Sequence, residues 1–172
     1  LISYFSILSM LTRQLINIPV HLGLDHLPNI YCGVAVFVLL PLYIMCSKVN
    51  AREKIGKCVI LLIFLTAFNL NIPNYIWHGM HFPNSLPCRQ SFIYIFFLLA
   101  MCYEAVINLK NSTNRQLGAS LWIAIGLLLI MEELFINSET EYSFKSVYIS
   151  GIFILIYGLL MFIHNNAKLK IP

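Results

Sequence analysis

Charged side chains are scarce in this sequence. Asp, Glu, Lys and Arg together make up only 10% of the 172 residues, whereas 59% are hydrophobic. A soluble domain carries roughly 25% charged residues, so the composition excludes an ordinary soluble protein. The mean hydropathy of +0.80 indicates that the apolar surface lies in lipid.

Patterned cysteines and strand-like alternation are also missing. The five cysteines are odd in number and show no CxxC spacing, which argues against a disulfide framework and a zinc site. The apolar segment Leu1–Thr12 has no initiating Met, charged leader or cleavage site, unlike a signal peptide. It is typical of the trailing half of a membrane span. We therefore expect residues 1–172 to form one transmembrane helical domain that is a fragment of a larger multi-span protein.

Long apolar runs dominate what is present. They predict an all-α, polytopic helix bundle with a partial span at Leu1–Thr12 and five full spans. Each full span has close to the ~20 residues that a helix needs to cross the hydrocarbon. A helix also satisfies its own backbone hydrogen bonds in lipid. The predicted full spans are Pro28–Ser47, Cys58–Ile76, Ser91–Lys110, Leu117–Ile136 and Ser146–Asn165.

The basic residues predict the orientation of the bundle in a cell membrane. Eight of the eleven Lys and Arg residues lie in loops 48–57 and 110–116 and in the C-terminal tail. The positive-inside rule places these segments in the cytoplasm. Loops 13–27, 73–90 and 137–145 then face the outside. Because the first two of these outer loops hold most of the polar functional groups, we predict that any chemistry takes place there.

The stretch Pro73–Ser91 carries more functional groups than a turn requires. Arg89 directly precedes the helix predicted to start at Ser91. Its guanidinium can bind a phosphate bidentately, and the helix N-terminus adds positive charge and free N–H groups. The alternative is an arginine that only snorkels to any lipid headgroup. The three prolines of the stretch favour a fixed shape, although prolines also simply end helices.

His78 and His81 are the second feature of this stretch. On a helical turn, their spacing of three places both on one face, where a metal could bind with His21 or Asp25 as third ligand. A hydrogen bond to a phosphate or sugar hydroxyl is the interpretation we favour over a metal, and plain interfacial placement of His and Trp is a further alternative. Asp25 is the candidate catalytic base, with a local turn or cap as its alternative role. The predicted substrate-binding residues are Trp77, His78, His81, Asn84, Arg89, His21 and His26.

The run from His78 to Phe92, His-Gly-Met-His-Phe-Pro-Asn-Ser-Leu-Pro-Cys-Arg-Gln-Ser-Phe, resembles the YfhO family of bacterial membrane proteins. Leu27-Pro-Asn-Ile-Tyr-x-Gly33 and Arg52-Glu-Lys54 are similar to that family as well. The resemblance implies a GT-C-type glycosyltransferase that moves a sugar from a polyprenyl-phosphate carrier to a cell-envelope polymer such as teichoic acid. It also implies that the catalytic carboxylate lies upstream of Leu1, so that this chain alone is inactive and supplies scaffold and part of the donor site.

Two other functions stay open. A transporter or permease would use the carboxylates of Glu104, Glu132 and Glu133, because ionisable groups at membrane depth are usually functional. A non-catalytic membrane scaffold would depend on no single polar side chain. The net charge of +4 follows from the basic loops and indicates no nucleic-acid partner. The sequence identifies neither the sugar nor a cofactor.

Overall fold

The fold is known from a computed structural model, which describes residues 3–4, 7–20, 28–81, 88–136 and 144–166. In these residues the chain is helical and forms no strand apart from an isolated bridge between Ser3 and Leu70. The helices in chain order are α1 Ile7–Leu11, α2 Val36–Met45, α3 Ala51–Asn69, α4 Asn71–Trp77, α5 Ser91–Ile107, α6 Asn114–Ile136 and α7 Phe144–Asn166. Two short 3₁₀ turns follow α1 and α5, at Thr12–Gln14 and Leu109–Asn111.

The last three helices match the predicted spans within a few residues. Among the helices of the described residues, only α6 and α7 are long and apolar enough to cross a membrane, over Asn114–Leu134 and Lys145–Asn166. The helices α2 and α5 are apolar but shorter. The all-helical prediction is therefore confirmed for the described residues, whereas five full spans are not.

The predicted span Pro28–Ser47 is wrong in its first part. The helix begins only at Val36. Gly33, three residues earlier, has a positive φ of +99°, which is not helical, so the helix does not extend back through it. Pro41 lies inside α2 and removes one further backbone hydrogen bond. The ten residues of α2 extend about 15 Å, which is half of the ~30 Å hydrocarbon layer.

The central position of α2 divides the core into two clusters. It packs against α5 on one side and α6 on the other, while α3 contacts α5 and α7 contacts α6. One cluster of buried side chains includes Leu42 and Ile154, and the other includes Tyr43 and Met101. The helix pairs α3–α5 and α6–α7 are thus joined through the short α2.

One end of the bundle gathers the basic loops, and we call it the basic end: residues 46–57 and 110–116. Lys54 Nζ donates to the carbonyl of Ile44 at 2.8 Å, and Gln116 Nε2 donates to the carbonyl of Met45 at 2.8 Å. These bonds satisfy the last carbonyls of α2, which have no partner within the helix. Asn165, near the end of α7, donates to the carbonyl of Ser112 at 3.1 Å. Both predicted cytoplasmic loops and the end of α7 therefore lie together, while their side of the membrane remains a prediction.

Candidate functional site

The polar stretch Pro73–Ser91 is attached to the end of α3 that lies opposite the basic end. We call this end of α3, from Phe64 to Asn69, the anchor. Leu70 interrupts the helix with an extended backbone, at φ −104° and ψ 137°. The ring of Trp77 then lies 4.8 Å from the ring of Phe64. In one continuous helix, residues thirteen positions apart would be separated by about 20 Å. The helix α4 therefore folds back along α3, and the predicted continuous span Cys58–Ile76 is wrong beyond Asn69.

The corner between α3 and α4 is closed by the N-terminal segment. The backbone N–H of Tyr4 donates to the carbonyl of Asn69 at 2.9 Å, and the hydroxyl of Ser3 donates to Asn69 Oδ1 at 3.1 Å. Asn69 is buried, and these two bonds give both of its oxygen acceptors a hydrogen-bond partner within the protein. Pro73 lies in the first turn of α4, where a missing N–H is tolerated, rather than at the end of a helix.

The other end of the stretch is held by the same part of α3. Cys88 is buried, and its thiol points at the carbonyl of Phe68 at 3.9 Å. The ring of Phe68 also packs edge-on against Tyr94 of α5, with 5.6 Å between centroids. Phe64 and Phe68, one turn apart on α3, thus fix both ends of the segment from Trp77 to Cys88.

Four of the predicted substrate-binding residues lie in the described ranges, close in sequence to this anchor. Trp77 ends α4 and is 43% exposed, and His78 follows it, half-buried. His81 is exposed at the last described position before residue 88. Arg89 is exposed in the turn that directly precedes α5. The remaining candidates, His21, Asp25, His26 and Asn84, lie outside the described residues.

The helical spacing expected for the two histidines is not present. His78 is the C-terminal cap of α4, and the backbone then turns left-handed at Gly79 and Met80, with φ of +69° and +61°. The two imidazoles therefore do not share a helix face, which removes the geometric reason for considering a metal there. In the described ranges, no group of three or more His, Cys, Asp or Glu side chains is placed to hold a metal ion.

The first N–H groups of α5, which the sequence analysis expected to face an anion, are partly used by nearby carbonyls. The N–H of Ser91 donates to the carbonyl of Cys88 at 2.9 Å, and the N–H of Ile93 donates to the carbonyl of Gln90 at 3.0 Å. The N–H of Tyr94 donates to the carbonyl of Gln90 at 3.5 Å as the first regular bond of the helix. Two of the first N–H groups of α5 are therefore used locally. An anion at this place would depend on the Arg89 guanidinium and the helix dipole.

Arg13 and Gln14 hold the segment after residue 28, a structural role that the sequence analysis did not predict. Both are buried, at 3% and 2% exposure. Arg13 Nε donates to the carbonyl of Pro28 at 3.3 Å, and its Nη2 donates to the side chain of Asn29. Gln14 Nε2 donates to the carbonyl of Ile30 at 2.6 Å. These bonds satisfy backbone carbonyls of a segment that is not helical and cannot pair them within itself.

Two of the three carboxylates proposed for a transporter, Glu104 and Glu132, are bonded to side chains of neighbouring helices. Glu104 accepts from Lys57 Nζ, which also bonds Glu53 at 2.6 Å and lies 5.6 Å from the ring of Tyr43. Glu132 accepts from the hydroxyl of Tyr148 at 3.0 Å. The ion pair between Lys57 and Glu104 joins α3 to α5 at the basic end of the bundle.

Buried polar atoms without partners also occur around the anchor. Asn74 Oδ1, His78 Nε2 and Gln90 Nε2 have no hydrogen-bond partner in the described part of the chain. Each such atom costs roughly 1–3 kcal/mol of stability. The sequence does not indicate that these atoms are buried without partners, because the burial of Asn74 follows from the folding back of α4.

A comparison with protein families matches nearly the whole chain. The family model described as "Bacterial membrane protein YfhO" covers residues 2–171. No curated protein and no solved structure shows significant similarity to the chain.

Proposed function

Because the chain belongs to the YfhO family of bacterial membrane proteins, we propose that it is part of a membrane glycosyltransferase. The enzyme would move a sugar from a polyprenyl-phosphate carrier to a cell-envelope polymer, such as teichoic acid, on the outer face. The observation that carries the proposal is the anchor at the end of α3. It brings Trp77 and His78 and the turn that carries Arg89 to one end of one helix.

This arrangement suits a ligand with a charged head and an apolar tail. The exposed Arg89 stands before the positive end of α5, where a guanidinium can bind two oxygens of one phosphate. Exposed apolar side chains of α5, Phe92 and Phe96 among them, continue from this point along the helix. A polyprenyl tail would lie against such a surface with its phosphate at Arg89.

A cation at this place would also assist the reaction itself. When the sugar leaves the carrier, negative charge develops on the phosphate that stays with the lipid. A positioned guanidinium stabilises that charge in the transition state more than in the ground state. We therefore propose Arg89 as the phosphate-binding residue of the donor site. Roles for His21, Asp25, His26, His81 and Asn84 remain predictions.

Replacement of Arg89 by alanine in the protein expressed from its complete gene tests the proposal. We expect sugar transfer to fall by about 10²-fold or more, because both the bidentate contact and the transition-state charge are lost. Arg89→Lys should recover only part of the rate, since an ammonium lacks the planar fork. The measurement is transfer of labelled sugar from a polyprenyl-phosphate donor in membranes.

The matched control is Arg52→Ala, an exposed arginine at the basic end, which should leave transfer unchanged. Wild-type transfer by Arg89→Ala, at equal protein levels, would remove Arg89 from the donor site. Solute uptake that depends on Glu104, Glu132 and Glu133 but not on Arg89 would instead favour a permease.

A further inference from the structure

The hydrogen-bonding state of His78 follows from its partner. His78 Nδ1 lies 2.8 Å from the backbone carbonyl oxygen of Asn74. A carbonyl oxygen can only accept, so Nδ1 must carry the hydrogen. In the neutral imidazole, Nε2 is then an acceptor with a free lone pair. The bond within the last turn of α4 thus fixes both the tautomer and the orientation of the ring.

A second acceptor lies on the same turn of helix. Asn74 is 4% exposed, and its Oδ1 is buried without a hydrogen-bond partner in the described ranges. His78 Nε2 is buried and unpartnered in the same way. Buried polar atoms are nearly always hydrogen-bonded in folded proteins, so two such atoms four residues apart, one within α4 and one on its C-terminal cap, require an explanation.

We propose that His78 Nε2 and Asn74 Oδ1 accept hydrogen bonds from hydroxyl groups of the sugar, and so form a sugar subsite separate from the phosphate site. This inference rests on the proposed function, which supplies a donor with both groups. Two acceptors match hydroxyls, which carry hydrogens. They repel an ionised phosphodiester, which carries none.

The two ends of the stretch therefore bind different parts of the sugar donor. Arg89 offers only donors and a positive charge, which suits the phosphate. Asn74 and His78 offer acceptors, which suit the hydroxyls next to it. A site that hydrogen-bonds a substrate hydroxyl rejects analogues that lack it, because its buried polar groups are then left unpaired. Asn74 and His78 are therefore specificity-determining residues.

The variant that tests the subsite is His78→Asn. The asparagine amide nitrogen occupies the position of Nδ1 and retains the bond to the Asn74 carbonyl, while Nε2 is removed. Binding of polyprenyl phosphate and of a panel of polyprenyl-phosphate hexoses is measured with the complete protein in nanodiscs. We expect the preference for a sugar-loaded carrier over the bare carrier to fall about tenfold, the loss of roughly one hydrogen bond. Arg89→Ala should weaken both carriers alike.

A spectroscopic measurement separates the subsite from the proposed function. In ¹⁵N-histidine NMR, the signals missing from His78→Asn identify the His78 ring in the wild-type protein. We expect the Nδ1–H tautomer and a saturable shift with methyl hexosides, but no shift with inorganic phosphate. A shift with methyl hexosides supports the subsite even if neither carrier binds. The failure of both carriers to bind would contradict the proposed function. An unchanged carrier preference in His78→Asn, or a phosphate-induced shift of the ring, would overturn the subsite.

Discussion

Replacement of Phe68 by alanine is expected to lower the free energy of unfolding by about 3–5 kcal/mol. The side chain is 1% exposed and packs between Phe64 and Tyr94, at 6.3 and 5.6 Å between ring centroids. Alanine would leave a cavity at the point where α3, α5 and the turn at Cys88 meet. Since the lost contacts are mainly dispersion, the loss should occur in a micelle as well as in a bilayer. Denaturant titration in detergent measures the effect.

The matched control for this substitution is Phe92→Ala. Phe92 is 68% exposed at the start of α5, so its truncation removes few protein contacts and should change stability by no more than about 0.5 kcal/mol. Equal effects of the two substitutions would mean that Phe68 is not a packing centre. We further expect Phe68→Ala to impair sugar transfer in the membrane, because the turn that carries Arg89 loses its contact with α3.

Replacement of Arg13 by methionine is expected to destabilise the protein by about 2–3 kcal/mol. Methionine retains the apolar stem but removes the two Arg13 donors that bond the carbonyl of Pro28 and the side chain of Asn29. Each hydrogen bond to a charged group contributes roughly 1.5–3 kcal/mol. Relief of the desolvation of a buried cation offsets part of the loss, so the net effect is smaller than the sum. The shift of Tm in detergent measures it.

Arg115→Met is the control for Arg13. Arg115 is exposed in the first turn of α6, and its replacement should stay within about 0.5 kcal/mol of the wild type. Arg13→Lys should also destabilise, because an ammonium cannot reproduce the geometry in which Nε and Nη2 bond different partners. If Arg13→Met proved as stable as the wild type, the hydrogen bonds of Arg13 to the segment after residue 28 would not contribute to the stability of the fold.

The long apolar helices could be predicted from the sequence because their signal is local. Near α6 and α7 an unbroken apolar run begins and ends at polar residues, and the observed boundaries differ from the predicted ones by three residues at most. The grouping of the basic loops at one end of the bundle follows from the alternation of spans. The helix boundaries are thus decided by neighbours in sequence, and the grouping of the loops by the order of the helices along the chain.

The features that shape the site depend on distant partners and could not be predicted. Between Phe64 and Ile76 the sequence has three asparagines and one proline but no glycine, which indicates an interruption of the helix but does not indicate that α4 folds back along α3. The burial of Arg13 depends on carbonyls fifteen residues away. Asn69 and Asn74 were the available signal, because amides inside an apolar run need partners and mark a place where the helix is interrupted.

Cross-linking between positions 64 and 77 tests the folding back of α4 most directly. Cysteines replace Phe64 and Trp77 in a protein whose natural cysteines have been exchanged for alanine, and a short bis-maleimide is added in membranes. We expect efficient intramolecular cross-linking, because these two rings lie 4.8 Å apart. The control pair of positions 55 and 77 should not react, since Ile55 lies in the first turns of α3. Absence of product at 64 and 77 would show that α4 continues α3 and would contradict the anchored site.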